Sequence, residues 1–286
     1  MAKIGIIGGS GLYSIEGIQD IRPENLMTPF GQPSCPFICG RLDGIEVVFL
    51  PRHGKGHSIS PSDINYRANI YGMKKLGVQA IISVSACGSL KKEIKPLDFV
   101  IPDQFLDRTR GQRISTFFNE GIVAHVPFAE PISPEVAQIL STCTQELGLT
   151  VHDGGTYVCM EGPQFSTKAE SRLYRSWGMD IIGMTNLTEA KLAREAEISY
   201  ATLAAVTDYD CWYESEESVT VEMIIENLNK NIANAKKILK SAIPRVGQLT
   251  EFSALGAMKY AVITQRDLIH EQKKKKFELL VGKYLS

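Results

Sequence analysis

Residues 199–206, Ser-Tyr-Ala-Thr-Leu-Ala-Ala-Val, carry no charge and run straight into Thr207-Asp208-Tyr209-Asp210. An uncharged run of small and β-branched residues reads as a strand buried on both faces, and such a strand needs covering layers on each side. An α/β fold with helices flanking a central sheet is therefore expected. The break at 207–210 is as informative as the run. In open α/β sheets, ligands bind beyond the carboxyl ends of strands. Two carboxylates spaced i, i+2 at such an end can meet one small polar molecule together. A buried carboxylate is costly unless paired or hydrogen-bonded, so the Asp-x-Asp is either a solvated turn or part of a site.

Other segments repeat the pattern of an apolar run closed by small or anion-friendly residues. Residues 3–7 read as a strand followed by Gly8-Gly9-Ser10-Gly11. Glycines there let backbone N–H groups approach an anion, and Ser10 adds a hydroxyl. The dinucleotide fingerprint is only partly met, because no strand ending in an acid follows about 20 residues on; a phosphate-sized anion is the better fit. Runs at 37–40 and 46–50 flank Asp43-Gly44, a hairpin signal. The second run ends at Arg52-His53, where a guanidinium offers bidentate geometry to phosphate. A strand over 78–85 ends at Ala86-Cys87-Gly88. Further strands are expected at 97–102, 155–160 and 179–183, and helices at 62–76, 134–147, 168–177, 189–196 and 221–242. Ser62 is the expected cap of the first helix, and Pro244 should lie beyond the last. Residues 103–123 look irregular. The main domain is expected to span 1–246, with 247–286 a C-terminal extension of helical character.

Composition narrows the class. The chain has 286 residues, is 44% hydrophobic and has a net charge of −1, which suits one large domain. It argues against nucleic acid or a membrane surface as the main partner. No apolar run is long enough to span a bilayer, and the first residues do not resemble a signal peptide. The six cysteines form no CxxC pair, so a cytoplasmic protein with reduced thiols is expected. His53 and His57 have no third ligand nearby in sequence, so no metal is expected.

Taken together, residues 6–12, 51–54, 85–89, 161–166, 183–185 and 206–212 resemble the trimeric purine nucleoside phosphorylase family, most closely its branch acting on 5′-methylthioadenosine. The resemblance runs over residues 3–245. It implies a single-domain α/β fold with a mixed, partly barrel-like central sheet, and a homo-oligomer, trimer or dimer of trimers, with sites near subunit interfaces. It implies methylthioadenosine and phosphate as substrates and no organic cofactor. Matching motifs assign phosphate contacts to Ser10, Arg52, His53, Ala86 and Thr185, and place Ser85 among the substrate-binding residues. Met184 would lie under the ribose and Phe165 would line the base pocket. Ser166 and Val221 would adjust specificity, and His125 would come from a neighbouring subunit. Gly183 departs from the asparagine often found before Met-Thr, and Ser10 and Ser85 replace threonines.

The chemistry implied is phosphorolysis, with an oxocarbenium-like transition state. The departing purine needs a proton at N7, and Asp208 is the expected general acid, its proton favoured by an apolar pocket and a second carboxylate. Asp210 would accept from a 6-amino group. An ionised carboxylate only accepts whereas an amide also donates, so aspartate at 208 favours adenine over 6-oxopurines. A phosphorylase of 6-oxopurine nucleosides or methylthioinosine is the alternative.

Overall fold

Eleven strands join in one mixed sheet among the described residues, which in this computed structural model are 1–9, 12, 15–213 and 221–285, with side chains of 221–225 outside the description. The strands are β1 (Lys3–Gly8), β2 (Gln19–Glu24), β3 (Phe37–Leu42), β4 (Ile45–Pro51), β5 (Val78–Ser89), β6 (Phe99–Ile101), β7 (Gln104–Arg108), β8 (Val151–Asp153), β9 (Thr156–Met160), β10 (Ile181–Gly183) and β11 (Ser199–Asp208). The helices are α1 (Tyr66–Lys75), α2 (Pro134–Glu146), α3 (Lys168–Ser176), α4 (Asn186–Glu195), α5 (Val221–Gly247) and α6 (Glu271–Leu285).

Strand order is β2-β3-β4-β1-β5-β10-β9-β7, with β11, β6 and β8 branching from β5. The branch point follows from length. β5 has 12 residues, enough to pair with β1 along its first half, with β11 along most of its run and with β10 at its far end. β1 pairs in parallel with β4 and β5, and β5 in parallel with β11. The carboxyl ends of these four strands therefore lie on one edge. Every residue of β11 except Asp208 is buried, as its uncharged sequence requires.

Local chemistry accounts for most boundaries. Asp43 and Gly44 both take positive φ, 48° and 79°, in the two-residue turn between β3 and β4, the geometry that Asp-Gly supports. The cap of α1 is Asn65, whose side chain accepts from the Ala68 N–H at 3.1 Å. Ser62 lies farther back and donates instead to Glu161. A capping box of Thr167 and Glu170 opens α3. β2 and β8 arise where no strand was expected; β2 is almost wholly exposed and three residues form β8, so neither carries the apolar alternation that marks a strand. The region expected to be irregular contains β7, which is paired with β9. α5 continues through Pro244 to Gly247. Proline there removes one backbone bond in the last turn, and burial of Ile243 and Val246 holds the turn to the core.

Residues beyond Gly247 add to the same core. Phe252, Met258, Ile269, Phe277, Leu280 and Val281 are buried in the cluster that contains β1 and β5 side chains. Glu197, between α4 and β11, is the polar anchor of this segment. Its carboxylate accepts from the Met258 N–H at 3.1 Å and the Tyr284 hydroxyl at 2.6 Å, and it pairs with Lys283 at 2.6 Å. Burial alone would raise the Glu197 pKa, but these partners outweigh it and hold the group below its ordinary value. Residues 123–125 bridge the C-terminal segment through Ala124 and Val262, with the His125 N–H on the Ala261 carbonyl at 2.8 Å.

Candidate active site

The edge where β1, β4, β5 and β11 end brings Gly8, Arg52, Ser85 and Asp208 together. Arg52 follows β4, and its N–H reaches the Gly8 carbonyl at 3.0 Å. Its guanidinium is 3% exposed and points inward. Nε donates to Glu189 Oε1 at 2.7 Å, Nη2 to Glu189 Oε2 at 3.2 Å, and Nη1 to the Val84 carbonyl at 2.9 Å. The two-pronged pairing that the sequence reserved for phosphate is thus made with Glu189. The same carboxylate accepts from Ser83 at 2.6 Å and from Tyr200 at 2.9 Å. This satisfies a buried ion pair that would otherwise be costly.

α4 extends the network. Its first residue, Asn186, is fully buried and donates to Ser83, Tyr200 and Thr202 at 3.1, 3.2 and 3.0 Å. Thr185 caps the helix, is 3% exposed and donates to Asn186 Oδ1 at 3.3 Å. The Tyr157 hydroxyl donates to the same oxygen at 3.0 Å. That ring explains Gly183, since a Cβ on Gly183 would collide with the Tyr157 hydroxyl.

Ser83 and Ser85 lie two residues apart on β5 and so share a face. The Ser85 hydroxyl is buried and makes no hydrogen bond among the described residues. A buried polar atom without a partner is costly, so this hydroxyl is suited to a ligand. Ala86 beside it is exposed. His53 lies one residue beyond Arg52. Its Nδ1 pairs with the Ile59 carbonyl at 2.9 Å and its ring stacks on His57 at 4.1 Å. Burial, and next the Arg52 charge, push the His53 pKa down to about 4, against the bond to Ile59. The ring is therefore neutral near pH 7, with its proton on Nδ1 and an acceptor at Nε2.

The two aspartates meet at the end of β11. Asp208 Oδ1 accepts from the Asp210 N–H at 2.8 Å and Oδ2 from the Thr207 hydroxyl at 2.6 Å. Burial, and the Asp208 charge beside it, push the Asp210 carboxyl up. Asp210 has a φ of 52°, which turns the chain sharply after Tyr209. The next residue, Cys211, donates from Sγ to the Ser166 carbonyl at 3.2 Å, so the 161–167 turn docks on this corner. Phe165 on that turn is 81% exposed. His125 is also exposed. Ser10 and the side chain of Val221 lie outside the described residues.

Sequence reasoning missed the residues that hold Met184. Arg113 is 7% exposed, pairs with Glu161 at 2.9 Å, and donates to the carbonyls of Met184 and Glu161. Glu161 also accepts from the Arg110 N–H at 2.6 Å. Arg113 lies in a segment without periodicity, where its charge reads as solvated. Glu189 and Asn186 open a helix with ordinary spacing and give no signal of burial. Among the described residues, no group of three His, Cys, Asp or Glu could hold a metal, and no helix is long and apolar enough to cross a membrane.

Residues 3–244 match the phosphorylase superfamily. The chain is 54% identical over 282 residues to S-methyl-5′-thioadenosine phosphorylase of Geobacter sulfurreducens, covering 99% of each chain. That alignment therefore includes most of the C-terminal segment. A crystal structure of a methylthioadenosine phosphorylase from an antarctic soil metagenomic library superposes with a TM-score of 0.93 at 49% identity, over 98% of each chain. Methylthioadenosine phosphorylase of Schistosoma mansoni in complex with adenine gives 0.86 at 36% identity, over 94% of this chain and 100% of that one.

Proposed function

The chain belongs to the phosphorylase superfamily, and from that membership we propose that it cleaves S-methyl-5′-thioadenosine with inorganic phosphate. The products are adenine and 5-methylthioribose-1-phosphate. A phosphate oxygen forms a bond to C1′ while the C1′–N9 bond breaks and its electron pair leaves with the base. The observation that carries this reading is the buried, unpartnered Ser85 hydroxyl, set on the face of the Arg52–Glu189 network on the strand next to the one that ends in the Gly8–Gly9 turn.

Phosphate binds between the Ser85 hydroxyl, the Ala86 backbone, the amino end of α4 at Thr185, and His53, with Ser10 completing the site. Helix N-termini favour anions through their free N–H groups and dipole. Neutral His53 accepts at Nε2 from a protonated phosphate oxygen. Arg52 keeps its guanidinium in the protein and ties β4, β5 and α4 into one rigid wall. The bound dianion stabilises positive charge growing on the sugar. Asp208 and Asp210 handle the base: Asp208 gives the proton to N7 and Asp210 accepts from the 6-amino group. Burial, and the Asp208 charge beside it, raise the Asp210 carboxyl above its ordinary value. Acid help of this kind contributes roughly 10²–10⁴-fold. Met184 supports the ribose, Phe165 lies against the base, and Ser166 and Val221 set the fit.

The active form is a homo-oligomer in the cytoplasm, trimer or dimer of trimers, in which His125 covers a neighbouring site. Phosphate is the sole co-substrate and no cofactor is required. The test is release of adenine from methylthioadenosine as phosphate is varied. Turnover that is saturable in phosphate supports the reading, and equal turnover in phosphate-free buffer overturns it.

A further inference from the structure

We infer that Asn231 and Asn227 on α5 are positioning residues that aim Asp208 at the departing base. The inference rests on the function proposed above and concerns residues outside the substrate contacts named there.

β11 does not reach its carboxylate in regular register. Val206 pairs with Cys87 and Asp208 with Gly88, so Thr207 is an extra residue, a bulge opposite β5. A bulge redirects the side chain that follows it and takes backbone groups out of the ladder. Those groups need other partners. The Thr207 hydroxyl bonds to the Cys87 carbonyl at 3.2 Å and to Asp208 Oδ2 at 2.6 Å. α5 donates to the two carbonyls that flank the bulge, of which that of Val206 also accepts from the Leu97 N–H at 2.9 Å. Asn227 Nδ2 donates to the Thr207 carbonyl at 3.1 Å, and Asn231 Nδ2 to the Val206 carbonyl at 2.8 Å. Residues i and i+4 share a helix face, so one side of α5 grips consecutive peptide units.

Asn231 is 1% exposed, and its Oδ1 has no partner among the described residues. An aliphatic residue would avoid that unsatisfied oxygen. Stability is thus not what an amide contributes here. Its donor, together with the Leu97 N–H, holds the last peptide units of β11 before the acid, and a small misplacement of a reacting group is enough to slow chemistry greatly.

The experiment compares two substrates in Asn231→Ala. One is methylthioadenosine, whose base leaves with a proton. The other is the same 5-methylthioribose bearing a 4-nitrophenyl leaving group, whose departure needs none. Expected is a kcat loss of roughly 10- to 100-fold on methylthioadenosine with KM for phosphate unchanged. Turnover of the nitrophenyl substrate should stay within about threefold, since no acid is used. Equal loss on both substrates, or full methylthioadenosine turnover in the folded variant, overturns the inference. If Asn231→Ala gives no cooperative melting transition, the half-buried Asn227→Ala carries the same comparison. Wild-type turnover of methylthioadenosine tests the underlying function separately, since only the ratio between substrates in the variant tests the asparagines.

Discussion

Glu195, at the carboxyl end of α4, permits a quantitative test of the packing around the site. It is 6% exposed, and it accepts from the Thr116 hydroxyl at 2.6 Å and the Phe117 N–H at 2.7 Å. Burial pushes its pKa from 4.5 up to about 7, against those two bonds. A carboxyl raised in the folded state binds more protons there than in the unfolded chain. Stability from this group is therefore fully present below about pH 4.5 and is lost as pH rises through about 7. At about 1.4 kcal/mol per pH unit the loss is about 3 kcal/mol. Glu195→Gln removes the titration and keeps the shape; its oxygen can accept from Phe117 while its amide donates to the Thr116 oxygen. Thermal melting of both proteins from pH 5 to pH 8 isolates the effect, because every other carboxylate is common to the two. The Gln variant should gain on wild type as pH rises, by roughly 5 °C at pH 8 if 1 kcal/mol moves a chain of this size about 2 °C. Parallel melting curves across that range would refute the reasoning.

Glu189→Ala strands the buried Arg52 charge and should cost roughly 3–5 kcal/mol in denaturant unfolding; a cost near zero would mean that the Arg52 network is not formed. Asp208→Asn should lower adenine release by about 10²-fold or more and shift the ratio of activities toward 6-oxopurine substrates, read by kcat/KM on methylthioadenosine and methylthioinosine. Gly183→Ala forces Tyr157 off Asn186, and should raise KM for phosphate more than KM for the nucleoside. Ser85→Ala removes a hydroxyl that has no internal partner among the described residues, so the melting temperature should hold while phosphate affinity falls by about tenfold, the share of one hydrogen bond.

The elements that carry the chemistry were legible because their physics is local. β11 announces itself by lacking charge, and the β3–β4 turn by Asp-Gly. The carboxyl-edge placement of Arg52, Ser85 and Asp208 follows from parallel pairing of strands that each looked buried. What escaped was whatever depends on partners far along the chain. Glu189 is separated from Arg52 by 137 positions and Arg113 from Met184 by 71, and no spacing rule links them. Asn231 looks like an interruption of a helix built mostly of apolar and charged residues, and gives no sign of its burial. The bulge at Thr207 has no signature in a run of small residues. The C-terminal segment reads as an appendage because its anchor, Glu197, is an ordinary acid until Lys283 and Tyr284 reach it.

That anchor has a bearing on biosynthesis. Tyr284, one of the residues that satisfy Glu197, follows it by 87 positions, while the strand that Glu197 precedes begins two residues after it. A nascent chain paused before Lys283 holds a sequestered carboxylate with no counter-charge from that lysine. The catalytic edge is therefore expected to mature only once Lys283 and Tyr284 have been made, and chains stopped near residue 247 should be cleared by proteases rather than persist as partly working enzyme.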